Sequence, residues 1–245
     1  MTLIIGIGCE DGAIIASESA STDTESGTKQ PYIKVRRLKD ENILYGGSGD
    51  VGLIQKIQES LKNYRHRNNI KNIRQELKIH IIPVLKESNQ LHAPYPQSQF
   101  YQPPIAIFLF VGIINEHAWI LEIERDGRDT LYGEDMGYFH AIGSGKPWAQ
   151  ASFRRYLHEK RKLELGKVLA YRTIYDSIAL SAMGLSEPVQ IHILKSDCDP
   201  EEILEDEIER LKDTCETWKT LETETLGKLL APSQKETGTT KIPKT

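Results

Sequence analysis

Short apolar runs alternate with polar turns through the first fifty residues of this chain. Two of them, Leu3 to Cys9 and Ala13 to Ser19, are joined by Glu10-Asp11-Gly12. A D-G pair between such runs signals a β-hairpin, because glycine accepts the backbone angles a tight turn demands. Lys34 to Leu38 and Asn42 to Tyr45 read as a second hairpin, after which Gly46-Gly47-Ser48-Gly49 is expected to end the strand. From Asp50, an N-cap candidate, the spacing turns helical: Leu53, Ile54, Ile57, Leu61 and Tyr64 share one face. A second helix is predicted over Ile70 to Ser88, with Ile73, Leu77, Ile81 and Leu85 as its stripe. Asn89 to Pro104 has no period and reads as a long functional or interfacial loop.

Strand patterns return at Ile105 to Ile114, His117 to Glu124, Thr130 to Tyr132 and Tyr138 to Ile142. Gly143-Ser144-Gly145 then turns into a predicted helix from Pro147 to Lys160, and another helix spans Leu165 to Met183. A last strand is expected at Val189 to Leu194. An acidic amphipathic helix follows from Pro200 to Leu230, with Ile203, Leu204, Ile208, Leu211, Trp218 and Leu221 inward. Strands, two helices, strands, two helices, strand, helix is an α+β order. It suits two antiparallel sheets stacked face to face with helix pairs outside, a four-layer αββα sandwich. The domain would occupy residues 1–198, with a helical extension over 199–231 and a disordered Ser/Lys/Thr-rich tail over 232–245.

The 245 residues carry a formal charge of -4 without a basic block, so nucleic acid is not an expected partner. The apolar run near Pro104 to Ile114 is too short to span a bilayer, and Met1 to Gly8 lacks the regions of a signal peptide. A cytoplasmic protein without a membrane partner is expected. Cys9, Cys198 and Cys215 are odd in number and widely spaced, which argues against disulfides and zinc. No histidine pair has metal-binding spacing, so neither a metal nor another cofactor is predicted.

Thr2 carries the chemistry. Methionine aminopeptidases remove Met1 when the next side chain is small, and the mature chain would then begin with a threonine bearing a free α-amine. An α-amine titrates near 8 and sits within reach of its own hydroxyl, so one residue holds both nucleophile and base.

The order of elements and a set of local matches resemble the β-type subunits of the proteasome family, N-terminal nucleophile hydrolases, and within it the bacterial HslV-like peptidases. The likeness covers Thr2 to Leu194. Thr2 heads the first strand, where that family has its catalytic threonine. Glu18 matches the acidic residue ending the second strand, and Thr22 the substrate-backbone threonine beyond it. Lys34-Val35-Arg36-Arg37-Leu38 resembles the stretch that opens with the catalytic lysine. Gly46 matches the glycine whose N–H forms the oxyanion hole. Ala141 to Ala151 resembles the family's strand-turn-helix, in which Ser144 is the serine beside the nucleophile.

The resemblance implies a catalytic set of Thr2, Glu18, Lys34, Gly46 and Ser144, with Ala20, Thr22, Leu44 and Gly47 at the substrate. Lys34 would favour an alkoxide-like Thr2 hydroxyl, Glu18 would hold the ammonium, and Ser144 would orient the amine. The implied activity is cleavage of peptide bonds in unfolded chains inside a self-compartmentalising homo-oligomer, a ring or a spiral, with an ATPase unfoldase as a conceivable partner. Ala182 to Pro188 lacks the Asp that active members carry there. That departure keeps open a silent structural subunit, and a related amidase acting on a small amide is the third reading.

Overall fold

The computed structural model describes residues 2–22, 29–39, 41–93, 103–133, 136–156, 160–180, 184–196 and 198–230. In chain order the elements are β1 (Ile4–Gly8), β2 (Ala13–Glu18), β3 (Ala20–Thr22), β4 (Lys29–Pro31), β5 (Val35–Arg37) and β6 (Ile43–Gly49), then α1 (Val51–Leu61) and α2 (Ile70–His92). After them come β7 (Ala106–Ile114), β8 (His117–Ile123), β9 (Asp129–Tyr132) and β10 (Phe139–Ile142), then α3 (Lys146–Tyr156) and α4 (Leu163–Leu180), β11 (Val189–Leu194), β12 (Glu201–Glu202) and α5 (Glu205–Leu230).

Two antiparallel five-stranded sheets form the centre, ordered β10-β1-β2-β11-β12 and β5-β6-β7-β8-β9. Their alternating side chains sort the core into three apolar layers. Ile4, Ile15, Val35, Leu44, Leu109 and Val111 fill the space between the sheets. Leu3, Ile5, Ile7, Ile14 and Ala16 face α3 and α4, and Leu53, Ile57, Leu77, Ile81, Phe108 and Phe110 bind α1 and α2 to the second sheet. This is the αββα order expected from the chain. Strand β1 is buried on both faces and reads as a continuous apolar run for that reason.

Several local features depart from the sequence reading or lie outside it. Strand β6 does not stop at Gly46 but runs on to Gly49, paired residue for residue with β7 from Ile43↔Gly112 to Gly49↔Ala106. The partner strand overrides the weak strand preference of glycine. A short hairpin, β3 with β4, is hidden in the sequence by its polar composition. Glu201 and Glu202 pair with β11 as an edge strand, so the last helix begins at Glu205 and not at Pro200. Its first turn, Glu205-Asp206-Glu207, places carboxylates at the positive end of the helix dipole. Leu204 and Leu221 are not inward: they are 75% and 55% exposed.

Helix α5 joins the core rather than trailing from it. Leu211 and Cys215 are buried in the helix-side layer, with Ile208 and Trp218 packed against it. The Arg172 guanidinium lies 3.8 Å from the centre of a Trp218 ring and donates to Glu222 at 2.6 Å. At the other end of α4, the Asp11 carboxylate of the first hairpin turn accepts the Leu163 N–H at 2.7 Å. No described helix is long and apolar enough to cross a membrane. Helix α2 runs on to His92, so Asn89 to His92, read as the start of a loop, are helical; residues 94–102 of that segment and the C-terminal tail from Ala231 lie outside the described residues.

The cysteines make a first test of this packing. Burial, with Asp11 and Glu10 nearby, pushes the Cys9 thiol up to about 12, burial pushes Cys215 up to about 11, and Cys198 is exposed. Only the thiolate attacks an alkylating agent. Iodoacetamide at pH 8 is therefore expected to modify Cys198 alone in the native protein, read by peptide mass mapping. Comparable labelling of Cys9 would show that the β1 end of the core is open.

Candidate active site

The alternation of β1 decides where Thr2 points. Leu3, Ile5 and Ile7 belong to the helix-side layer and Ile4 to the layer between the sheets, so a period of two puts Thr2 on the face of Ile4, toward the second sheet. The turn Gly143-Ser144-Gly145 grips its backbone. The Thr2 nitrogen donates to Ser144 Oγ at 3.1 Å, while the Thr2 carbonyl accepts from Gly145 N–H at 3.1 Å and from Ser144 Oγ at 3.4 Å. Gly143 must be glycine. Its φ is +93°, and a Cβ there would lie 2.1 Å from the Thr2 carbonyl oxygen.

Glu18 and Lys34 meet next to this segment, at the Leu3 N–H. Glu18 Oε1 accepts the Leu3 N–H at 3.3 Å and Oε2 accepts the Ala20 N–H at 2.7 Å, while the Lys34 ammonium pairs with Oε1. The carboxylate side chain is 0% exposed and the lysine 4%. One buried carboxylate thus links the lysine to the residue following Thr2. Burial lowers the pKa of Lys34 from the ordinary lysine value, and the charge and hydrogen bond of Glu18 oppose that shift. The lysine thus holds its proton less tightly than a solvated lysine does.

Strand β6 forms the facing wall. A Cβ on Gly46 would come within 2.9 Å of Ile4 Cδ1 and 3.0 Å of the Lys34 carbonyl oxygen, so the bare backbone approaches the strand that carries Thr2. Gly47 faces the opposite way, toward Ile54 and Phe108. Ala20 is buried at the start of β3, and Leu44 is buried between the sheets. Thr22 ends β3, and its side chain lies outside the described ones, as does all of Met1.

Two further residues belong to this neighbourhood and carry no motif that singles them out in the sequence. Ser48 shares the face of Gly46 by strand alternation, and its Oγ lies 3.1 Å from the Cβ position of Gly143. Gln190 faces Ser17 across β11 and β2, and its carboxamide accepts the Lys34 N–H at 3.1 Å and donates to the Tyr32 carbonyl at 3.0 Å. Only the alternation in β6 could have pointed to Ser48, and Gln190 gives no sequence signal. In the Asp-less stretch before β11, Glu187 is exposed, while Ser186 gives its backbone carbonyl to the Ser19 N–H at 3.3 Å. Residues 181–183 lie outside the described residues. Among the described residues no acidic, histidine and cysteine group has the makings of a metal site.

A two-sheet αββα sandwich whose first strand is preceded by a threonine held by a Gly-Ser-Gly turn has the architecture of the N-terminal nucleophile hydrolases. A model of the proteasome subunit family matches residues 2–190, and the chain belongs to that family. A search of curated protein sequences found no match. Among solved structures, the fold resembles Anbu (ancestral beta-subunit) from Yersinia bercovieri at 16% identity and a TM-score of 0.72, over 96% of this chain and 99% of that one. It also resembles the helical assembly of the Anbu complex from Pseudomonas aeruginosa at 15% identity and a TM-score of 0.72, over 95% and 98% of the two chains. An Anbu (Gly-1) mutant from Hyphomicrobium sp. strain MC1 aligns at 15% identity and a TM-score of 0.71, over 93% and 97%. At these identities the likeness is one of fold.

Proposed function

We propose that this chain is an N-terminal threonine peptidase that acts within a homo-oligomer. The observation that carries the reading is the Thr2 nitrogen on Ser144 Oγ at 3.1 Å, one residue before Leu3, whose N–H donates to the buried Glu18 that pairs with Lys34. With Met1 removed, that nitrogen is an amine oriented by a hydroxyl, next to a threonine hydroxyl in the field of a desolvated cation. The amine takes the hydroxyl proton as Thr2 Oγ attacks the substrate carbonyl, then returns it to the departing amine. Water cleaves the resulting ester by the same route. The Gly46 N–H is assigned to the oxyanion, a donor typically worth about 3 to 4 kcal/mol. Thr22 and Gly47 would pair with the substrate backbone, and Ala20 and Leu44 favour a small or apolar side chain at the cleaved position.

A peptide epoxyketone needs both the hydroxyl and the free amine, so intact mass after incubation is the test. One adduct per chain, mapped to Thr2 in protein lacking Met1, is the expected result. Protein that lacks Met1 and stays unmodified would favour a catalytically silent structural subunit, a reading motivated by the absence of Asp from Ala182 to Pro188.

Self-association is part of the proposal. A reactive threonine is restricted to unfolded chains by enclosure, and the Anbu complex from Pseudomonas aeruginosa, whose fold this chain shares, forms a helical assembly. The outer turns of α5 leave Leu221, Leu226 and Leu229 exposed, an apolar surface suited to a second copy. Whether a ring or a spiral closes the chamber, an ATPase unfoldase is the class of partner that would feed it. Light scattering at micromolar concentration is expected to give six or more subunits. A monomer that still cleaves peptides would move the assignment to an amidase of small substrates.

A further inference from the structure

We propose that Gln190 is a positioning residue that fixes Lys34 next to the Thr2 segment by clamping the backbone on which Lys34 stands; the inference rests on the hydrolase reading for its kinetic consequences. Between β4, which ends at Pro31, and β5, which begins at Val35, residues 32–34 belong to no strand of the described fold. Their polar backbone groups therefore need partners from elsewhere. Gln190 supplies them from the other sheet. Its Oε1 accepts the Lys34 N–H at 3.1 Å and its Nε2 donates to the Tyr32 carbonyl at 3.0 Å, so one carboxamide meets a donor and an acceptor two residues apart as a neighbouring strand would. The Tyr32 N–H meanwhile donates to the Ser19 carbonyl at 2.7 Å.

The clamp is itself fixed. Gln190 lies directly across from Ser17 in the β11 and β2 register, and Ser17 Oγ reaches Gln190 Oε1 at 3.5 Å. Its strand neighbours Val189 and Ile191 are buried in the helix-side layer, which leaves the carboxamide facing the second sheet. The next residue of β2 after Ser17 is Glu18, the carboxylate that takes the Lys34 ammonium. Lys34 is therefore held at both ends from adjacent strands of one sheet, its main chain by Gln190 and its charge by Glu18. A lysine has four rotatable side-chain bonds, and fixing its root as well as its tip confines the ammonium to one place.

The test uses Gln190→Met, which keeps the volume and loses both hydrogen bonds, and Gln190→Glu, which keeps the acceptor for the Lys34 N–H and loses the donor to Tyr32. Two measurements are made on the full chain with Met1 removed: the rate and final stoichiometry of the epoxyketone adduct at Thr2, and hydrogen exchange resolved at the Lys34 amide. In Gln190→Met the adduct is expected to form about tenfold more slowly at saturating inhibitor while still reaching one per chain. A folding defect would instead lower the final stoichiometry. The Lys34 amide is expected to lose its protection while amides of β1 and β2 keep theirs, and Gln190→Glu is expected to recover part of both effects. An unchanged adduct rate, or a Lys34 amide as protected as in the wild type, would overturn the role. If wild-type protein forms no adduct, the hydrolase reading fails on its own, and exchange at the Lys34 amide alone then decides whether Gln190 holds the lysine in place.

Discussion

Replacing Thr2 by alanine is expected to lower peptide hydrolysis by at least about 10³-fold, because the substitution deletes the only hydroxyl that shares a residue with the proposed base. Alanine is the informative choice. It is small, so Met1 is still removed, and the amine, the bond to Ser144 Oγ and the grip of Gly145 on the residue-2 carbonyl all persist. Stability is expected to stay within about 1 kcal/mol, since Thr2 is only partly buried at the very start of the fold. Assembly should also be unchanged. The measurement is turnover of a fluorogenic peptide alongside a melting curve and light scattering on the same sample. Turnover within tenfold of wild type would mean that another group makes the attack.

The layered fold is legible in the sequence because its signals are redundant. Strand β1 announces itself by five consecutive buried residues, and α1 by its stripe of Leu53, Ile54, Ile57 and Leu61. Errors fall where a partner outside the local window decides the outcome. Gly46 to Gly49 carry no strand preference, yet pairing with the long β7 keeps them extended, and Glu201-Glu202 becomes a strand only because β11 offers an edge. The site divides in the same way. Thr2, Glu18, Lys34 and Ser144 are recognisable together from their register, and the structure joins them through Leu3, Glu18 and the Gly143 to Gly145 turn. Gln190 reads as one polar residue in an alternating strand. Its meaning depends on a segment 156 residues away in sequence, which no local pattern encodes.

Lys34 gives the second large effect, and its stability and activity consequences separate. Lys34→Met leaves the Glu18 carboxylate buried with only the Leu3 and Ala20 N–H groups, and breaking a buried pair in this way costs about 3 to 5 kcal/mol. Adding Glu18→Gln removes the stranded charge and keeps an acceptor for one of those N–H groups, so the double variant is expected to regain most of the lost stability. It should regain no activity. The single and double variants are both expected to fall on the order of 10² to 10⁴-fold in kcat/KM, because neither places a positive charge near the Thr2 hydroxyl. Lys34→Arg keeps the charge but spreads it over a planar fork that does not fit the space of an ammonium, and little rescue is expected.

The pH profile adds an independent sign. Burial lowers the Lys34 pKa, so activity that needs the ammonium should decline on the alkaline side before an ordinary lysine, near about 10.4, would lose its proton. Stability moves the other way in that window. Between the lowered folded value and the unfolded one, the unfolded chain binds more protons at this position, so the lysine's own contribution to stability rises with pH while activity falls. Rate profiles and denaturant midpoints measured on the same wild-type samples from about pH 7 to 10, with the double variant as the reference lacking Lys34, would resolve the two trends. A double variant that cleaves peptide within tenfold of wild type would remove Lys34 from the reaction and leave the pair a structural one.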